Sequence, residues 1–290
     1  SLEYIESIQN ELNKANKIKA SGNAIFDIIV DEKMKICENK GIEFILDLDS
    51  KNTGFIGSTL EKVDRLIRIL EWMNSDEKLN KLLALKGGTA INTAIFNFPR
   101  LSVDIDLDLT ENLSKEEMIK ERENIHNLLV NYLNSNNYKI NMEKSKNVYA
   151  LDSIVAEYID IKGNIDNIKI EINYMNRVHI LETKRIDVST DVLKGKHLTI
   201  HCIHPIEIYA AKLCALLSRT TARDLYDVYT LSKYDLFDDE EKKLLKQCLM
   251  LEYIAVNDYK LKDMKIDNIE RLKRQDIKTK LLPTLKDRNP

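Results

Sequence analysis

Apolar residues recur at helical spacing near the start of the chain. Leu2, Ile5, Ile8 and Leu12 stand on a polar background and predict a surface helix within residues 2–20. Gly22-Asn23 breaks it, and residues 25–37 predict a second helix ending by Gly41. Residues 42–48 (IEFILDL) read as a strand closed by Asp47 and Asp49. Ser58-x-x-Glu61 has the capping-box form, in which each side chain satisfies a free N–H at a helix start. The stripe Leu60, Val63, Leu66, Ile67 and Leu70 follows it. A short apolar run, Leu82 to Leu85, precedes Gly87-Gly88, a small-residue helical segment and Pro99-Arg100. Next comes an alternating run with Asp104, Asp106 and Asp108 at every second place.

Ser114-x-x-Glu117 opens a helix reaching about Tyr132, which the run Asn134 to Asn137 ends. Strands are predicted over 138–142, 148–159, 168–174, 178–181 and 198–202, with 144–147 and 162–164 as hairpin loops. From Pro205 the period turns helical, with Ile206, Tyr209, Ala210, Leu213 and Leu217 on one side. This pattern divides the chain into a mostly helical segment (1–75), an α/β core (76–203) and a helical C-terminal region (204–290).

The totals narrow the classes. At 290 residues the chain has room for one large domain or two modest ones. With 44 basic and 47 acidic residues, the net charge of −3 makes no global case for nucleic-acid binding, which would need a local basic patch. Cys37, Cys202, Cys214 and Cys248 are far apart and form no Cys-x-x-Cys pair, so reduced thiols in a cytoplasmic protein are expected. The first residues are too polar for a signal peptide, and Ser1 in place of Met reads as a processed or engineered start. No run approaches the roughly 18 apolar residues of a membrane span, so no membrane partner is expected.

The chemistry gathers at residues 82–109. Residues two apart in a strand share a face, so Asp104 and Asp106 set two carboxylates side by side. Carboxylates that close repel unless a cation lies between them. A divalent cation on a strand, opposite a glycine turn whose N–H groups approach phosphate, is the chemistry of nucleotidyl transfer. Asp108 continues the alternation and is expected to face solvent. A third carboxylate is expected from an adjacent strand, and Glu171 in IKIEINY suits it. Its bland reading is the exposed face of an edge strand.

Two blocks carry a family resemblance. Gly87-Gly88-Thr89-Ala90 with Arg100-x-Ser102-x-Asp104-Ile105-Asp106-Leu107 is the first, and KLCALLSRTTARDLYD (212–227) the second. Together they resemble the AbiEii/AbiGii toxin family of the polymerase-β-like nucleotidyltransferase superfamily, over roughly residues 80 to 235. The resemblance implies an α/β fold, a mixed sheet with flanking helices and a helical C-terminal region. It implies Mg²⁺ or Mn²⁺ on Asp104, Asp106 and Glu171. It further implies an NTP held by Gly87, Gly88, Thr89, Arg100, Ser102, Lys212, Arg219 and Arg223. Asp224 or Asp227 would serve in catalysis or fix the arginines. Arg100 would either orient the carboxylates or contact phosphate.

The implied activity is NMP transfer by the toxin of a toxin–antitoxin or abortive-infection pair. RNA, in particular a tRNA 3′ end, is the implied acceptor, and a cognate antitoxin the implied partner. Two alternatives stand beside it: AMP or UMP transfer to protein, and an NTP-binding interaction module without turnover. Bland readings also stand for single features. Arg223 and Asp227 suit a plain helix ion pair. His197, His201, Cys202 and His204 resemble zinc spacing, but strand alternation sends His201 away from Cys202 and His204. The tail 271–288, with seven basic and two acidic residues, is either a solvated helix face or a patch for RNA or antitoxin.

Overall fold

The computed structural model describes residues 57–95, 100–175, 178–189, 197–234, 236–256 and 272–285. The helices expected within 2–20 and 25–37, the strand at 42–48, Asp47, Asp49 and Cys37 lie outside the described residues. Apart from residues 159–164, the described residues belong to one compact unit.

Helix α1 (Gly57–Ser75) carries the expected stripe. Val63, Leu66, Ile67 and Leu70 are buried, joined by Ile69 and Met73. It starts one residue ahead of Ser58, which therefore lies in the first turn and not before it. Asp76 accepts from Leu79 N at 2.9 Å and so starts α2 (Glu77–Leu82), which leads into β1 (Leu83–Lys86). The chain turns through the short α3 (Gly87–Ala90) and a π-helical turn (Ile91–Ile95). It returns as β2 (Asp104–Leu109), antiparallel to β1, with Lys86 opposite Asp106. The Ser114–Glu117 capping box forms in full at the start of α4 (Lys115–Ser135). Trp72 of α1 stacks on Tyr132 of α4, ring centroids 3.9 Å apart.

The remaining strands are β3 (Lys139–Ile140), β4 (Lys146–Val148), β5 (Leu151–Ile159), β6 (Ile165–Asn173), β7 (Lys184–Ser189) and β8 (His197–Cys202). They complete one mixed sheet in the order β3-β5-β6-β2-β1-β8-β7, with β4 beside β5. The parallel pairs β2/β6 and β1/β8 flank the central antiparallel pair β1/β2. Helices α5 (Pro205–Arg219), α6 (Ala222–Lys233) and α7 (Asp239–Val256) follow, then a short α8 (Arg274–Asp276) continued by a π-helical turn (Ile277–Leu281). No helix among the described residues is long and apolar enough to cross a membrane.

Three expectations needed correction. Residues 178–181 form no strand, because the Ile180 and Leu181 N–H groups donate to the buried Glu207 carboxylate at 3.1 Å each. The strand lies instead at β7, whose Lys184, Arg185 and Asp187 suit an edge and hide its period. The hairpin loop expected at 144–147 is partly a strand, β4, which pairs antiparallel with β5, the strand expected over 148–159. On α5, Leu213 and Leu217 are only half-buried, while Glu207, Ile208, Lys212, Cys214 and Leu216 are buried. That helix packs against α6, α7 and the α3 segment at once, and its buried residues spread beyond a single stripe.

Candidate active site

The site forms where β1 ends against the head of β2. Gly87 has φ +70°, a conformation that favours glycine. A Cβ there would stand 2.5 Å from Asp106 Oδ2, so the bend lies directly against that carboxylate. At Gly88 a Cβ would come 3.0 Å from Arg100 Nη2 and 3.2 Å from Ser102 Oγ. Thr89 is buried; its hydroxyl donates to the Asp104 carbonyl and lies 2.9 Å from Ser102 Oγ. Asn92 Nδ2 donates to the Gly88 carbonyl at 2.7 Å. Thr89 and Ser102 thus tie the glycine bend to the aspartate strand through their side chains.

In the parallel β2/β6 register, Asp104 stands beside Lys169 and Asp106 beside Glu171. Glu171 is on an interior strand, between β5 and β2, and not on an edge. Burial, then the charges of Asp104 and Glu171, push the Asp106 carboxyl up to about 6, against the opposing charges of Lys86 and Lys212. Glu171 Oε2 lies 2.8 Å from Lys169 Nζ. As they stand, no three Asp, Glu, His or Cys side chains among the described residues converge closely enough to hold an ion. The hard oxygen donors, and the neighbouring carboxylates that add to burial in raising Asp106, are nevertheless suited to a divalent cation.

Asp108 does not face solvent. It is 4% exposed, and its Oδ1 lies 2.5 Å from Lys86 Nζ. Leu107, Asp108 and Leu109 are all buried, because this end of the central strand is covered on both faces.

Behind the carboxylates, α5 and α6 contribute a buried ion network. Arg100 donates to Asp227 through Nε and Nη2, both at 2.7 Å, a two-point fork that fits a carboxylate. Lys212 Nζ lies 2.9 Å from Asp224 Oδ1 and 3.2 Å from Asp227 Oδ2. All four side chains are buried. Burial alone would raise the Asp224 carboxyl, but the charge of Lys212 and hydrogen bonds from Arg219 and Thr221 hold it down at about 2. Arg219 Nε reaches Asp224 at 3.0 Å, yet its side chain remains 64% exposed. Its hydrogen bond to Asp224 outweighs burial and raises its pKa further, and the charge of Asp106 adds to this. Arg219 therefore joins the network through Asp224 while most of its side chain stays open to solvent, near enough to Asp106 to feel its charge.

The helix pair Arg223–Asp227 does not form, since both Asp227 oxygens are engaged by Arg100 and Lys212. Arg223 is half-buried and makes no ion pair among the described residues. The histidines with zinc-like spacing have other partners. His201 uses one ring nitrogen on the Asn80 carbonyl (2.9 Å) and the other on Thr183 Oγ1 (2.7 Å). His204 caps α5, and burial pushes the Cys202 thiol up to about 12. Lys86 and Lys169 were not singled out from the sequence. Their signals are weak: a lysine just before the glycine pair, and one two places before Glu171.

The profile of the family described as "Nucleotidyl transferase AbiEii toxin, Type IV TA system" matches residues 68–289. No curated protein was found to match. Among solved structures, this chain is similar to MenT4, a nucleotidyltransferase toxin from Mycobacterium tuberculosis H37Rv, at 16% identity and TM-score 0.54, over 75% of this chain and 74% of that one. JHP933 from Helicobacter pylori is similar at 20% identity and TM-score 0.46, over 77% and 87%. The MenT4 likeness is one of fold; the profile, covering the glycine bend, the aspartate strand and the α5–α6 network together, reaches further. The chain belongs to the AbiEii nucleotidyltransferase toxin family.

Proposed function

We propose that this toxin nucleotidyltransferase moves an NMP unit from an NTP to a hydroxyl of RNA, in particular a tRNA 3′ end, and releases pyrophosphate. The observation that carries the reading is the closeness of Asp106 to the Gly87 bend, with Glu171 beside it in the β2/β6 register. Asp104, Asp106 and Glu171 would hold Mg²⁺ or Mn²⁺. A bound divalent ion would neutralise triphosphate charge and polarise the reacting oxygens.

The remaining roles belong to the chain's own side chains. Gly87 and Gly88, lacking Cβ atoms, leave backbone against which a phosphate can lie. Arg219, anchored on Asp224, offers its largely exposed guanidinium to the triphosphate. Lys212 contributes positive field from behind, held by Asp224 and Asp227. Arg100, locked on Asp227, sets the entry of β2 and with it the position of Ser102 and Asp104. Thr89 and Ser102 keep bend and strand together. Arg223, at the start of α6, supplies a further cation for nucleotide or RNA phosphate.

RNA as acceptor draws support from the C-terminal segment that packs on α6, where Lys273, Arg274, Lys278 and Lys280 face a single acid, Asp276. A local basic patch of this kind suits a phosphate backbone despite the chain's net charge of −3. The test is incubation with each labelled NTP, Mg²⁺ and total RNA. Label should appear at RNA 3′ ends and vanish in the Asp104→Ala/Asp106→Ala variant. Label on protein alone would overturn the RNA acceptor, and undiminished labelling by the variant would overturn the site. A cognate antitoxin should suppress the labelling.

A further inference from the structure

The lysine beside the strand carboxylates has no part in the roles above. Lys169 stands next to Asp104 in the β2/β6 register, two residues before Glu171. Residues two apart share a strand face, and the intervening Ile168, Ile170 and Ile172 are fully buried on the other. Lys169 and Glu171 therefore both face the site. The ammonium lies 2.8 Å from Glu171 Oε2, with the two side chains 39% and 29% exposed. An ion pair this open contributes little to folding. Its consequence is local: Asp104, Asp106 and Glu171 bring three carboxylates to one face, and Lys169 is in direct contact with one of them. The other lysines nearby are engaged elsewhere, Lys86 on Asp108 and Lys212 on Asp224 and Asp227.

We infer that Lys169 is a positioning residue for the metal site: it holds Glu171 as an internal counter-ion that a divalent cation must displace, and so weakens the site's grip on free cation. The inference rests on the reading that Asp104, Asp106 and Glu171 bind that cation. It also accounts for the way the carboxylates stand, with Glu171 drawn toward Lys169 and no three of them converging among the described residues. Removing a single positive charge a few ångströms from a doubly charged ion in a solvent-exposed cleft is expected to tighten binding on the order of tenfold. The physiological sense is that such a site loads poorly with bare ion and depends on the oxygens that a triphosphate brings.

The test is a titration of free Mn²⁺ by its electron paramagnetic resonance signal at low salt and fixed pH, without nucleotide. It compares the wild type with Lys169→Met, Lys169→Gln, Lys169→Arg and Asp104→Asn/Asp106→Asn. Lys169→Met and Lys169→Gln should bind roughly tenfold tighter than wild type, with the gap narrowing as salt is raised. Lys169→Arg should stay close to wild type, because it keeps the charge. Thermal melts of the variants verify folding, which substitution of a half-exposed lysine is expected to preserve. Equal or weaker binding by both neutral variants, with the double Asn variant losing binding, overturns the role of Lys169 and leaves the metal site standing. Wild type and double Asn variant binding alike overturns the metal reading itself, and the role of Lys169 with it.

Discussion

Two clusters of charge meet at this site, and they are built on opposite terms. In the network of Arg100, Lys212, Asp224 and Asp227, two cations and two anions are buried in hydrogen-bond contact, and Asp224 stays ionised down to about 2. On β2 and β6, Asp104, Asp106 and Glu171 crowd together with one half-exposed lysine, and Asp106 keeps its proton up to about 6. The same carboxyl group is thus pushed in opposite directions a few residues' reach apart. A cluster balanced from within holds elements in place; a cluster left short of positive charge is suited to receive it from a ligand.

The largest effect should come from unbalancing the balanced cluster. Asp227→Ala leaves Arg100 and Lys212 short of a buried partner, and denaturant unfolding should show a loss of about 3–5 kcal/mol. Asp104→Ala/Asp106→Ala should instead leave a folded protein and lower transfer at least about 10³-fold, read as incorporated label, since several kcal/mol of charge stabilisation is removed. A variant of that kind that fails to fold would erase the contrast between the two clusters. Gly87→Ala, at φ +70° and against Asp106 Oδ2, should cost about 1–3 kcal/mol of stability and most of the activity, read by thermal melts and labelling.

The smallest effects are those of pH, and they have opposite signs. A carboxyl whose folded pKa is raised favours the folded state while protonated. The Asp106 contribution is therefore present below the ordinary carboxylate value and is lost as pH rises toward about 6. Discounted for screening at a partly exposed site, it amounts to on the order of 1–2 kcal/mol. Asp106→Asn should abolish that slope in urea melts without metal and be more stable than wild type above pH ~6. Asp224 works the other way: its contribution is present above the ordinary value and is lost as pH falls toward about 2.

Much of the site was legible in the sequence because it is local. Gly87-Gly88 and the Asp104/Asp106 alternation lie within twenty residues of each other, and period-2 geometry alone puts the two carboxylates together. Glu171 was reachable because strand alternation turns Ile170 and Ile172 to the core and leaves the acid between them on the opposite face. The partners of the arginines were not. Arg223–Asp227 has ideal helix spacing, yet Asp227 pairs with Arg100, 127 residues away, because a buried fork is worth more than an exposed helix pair. Asp108 followed the same alternation as its neighbours and still ended buried on Lys86.

Periodicity and caps therefore determined on their own the helices α1, α4 and α5, most of the strands, and which strand residues share a face. These depend on contacts within a turn or between alternate residues, which the order of amino acids specifies directly. Strand order, the interior place of β6, the loop at 178–181 pinned by Glu207, and the balance of each charge cluster came only from the tertiary structure. Burial and the field of distant charges depend on which segments meet, and no local spacing encodes that.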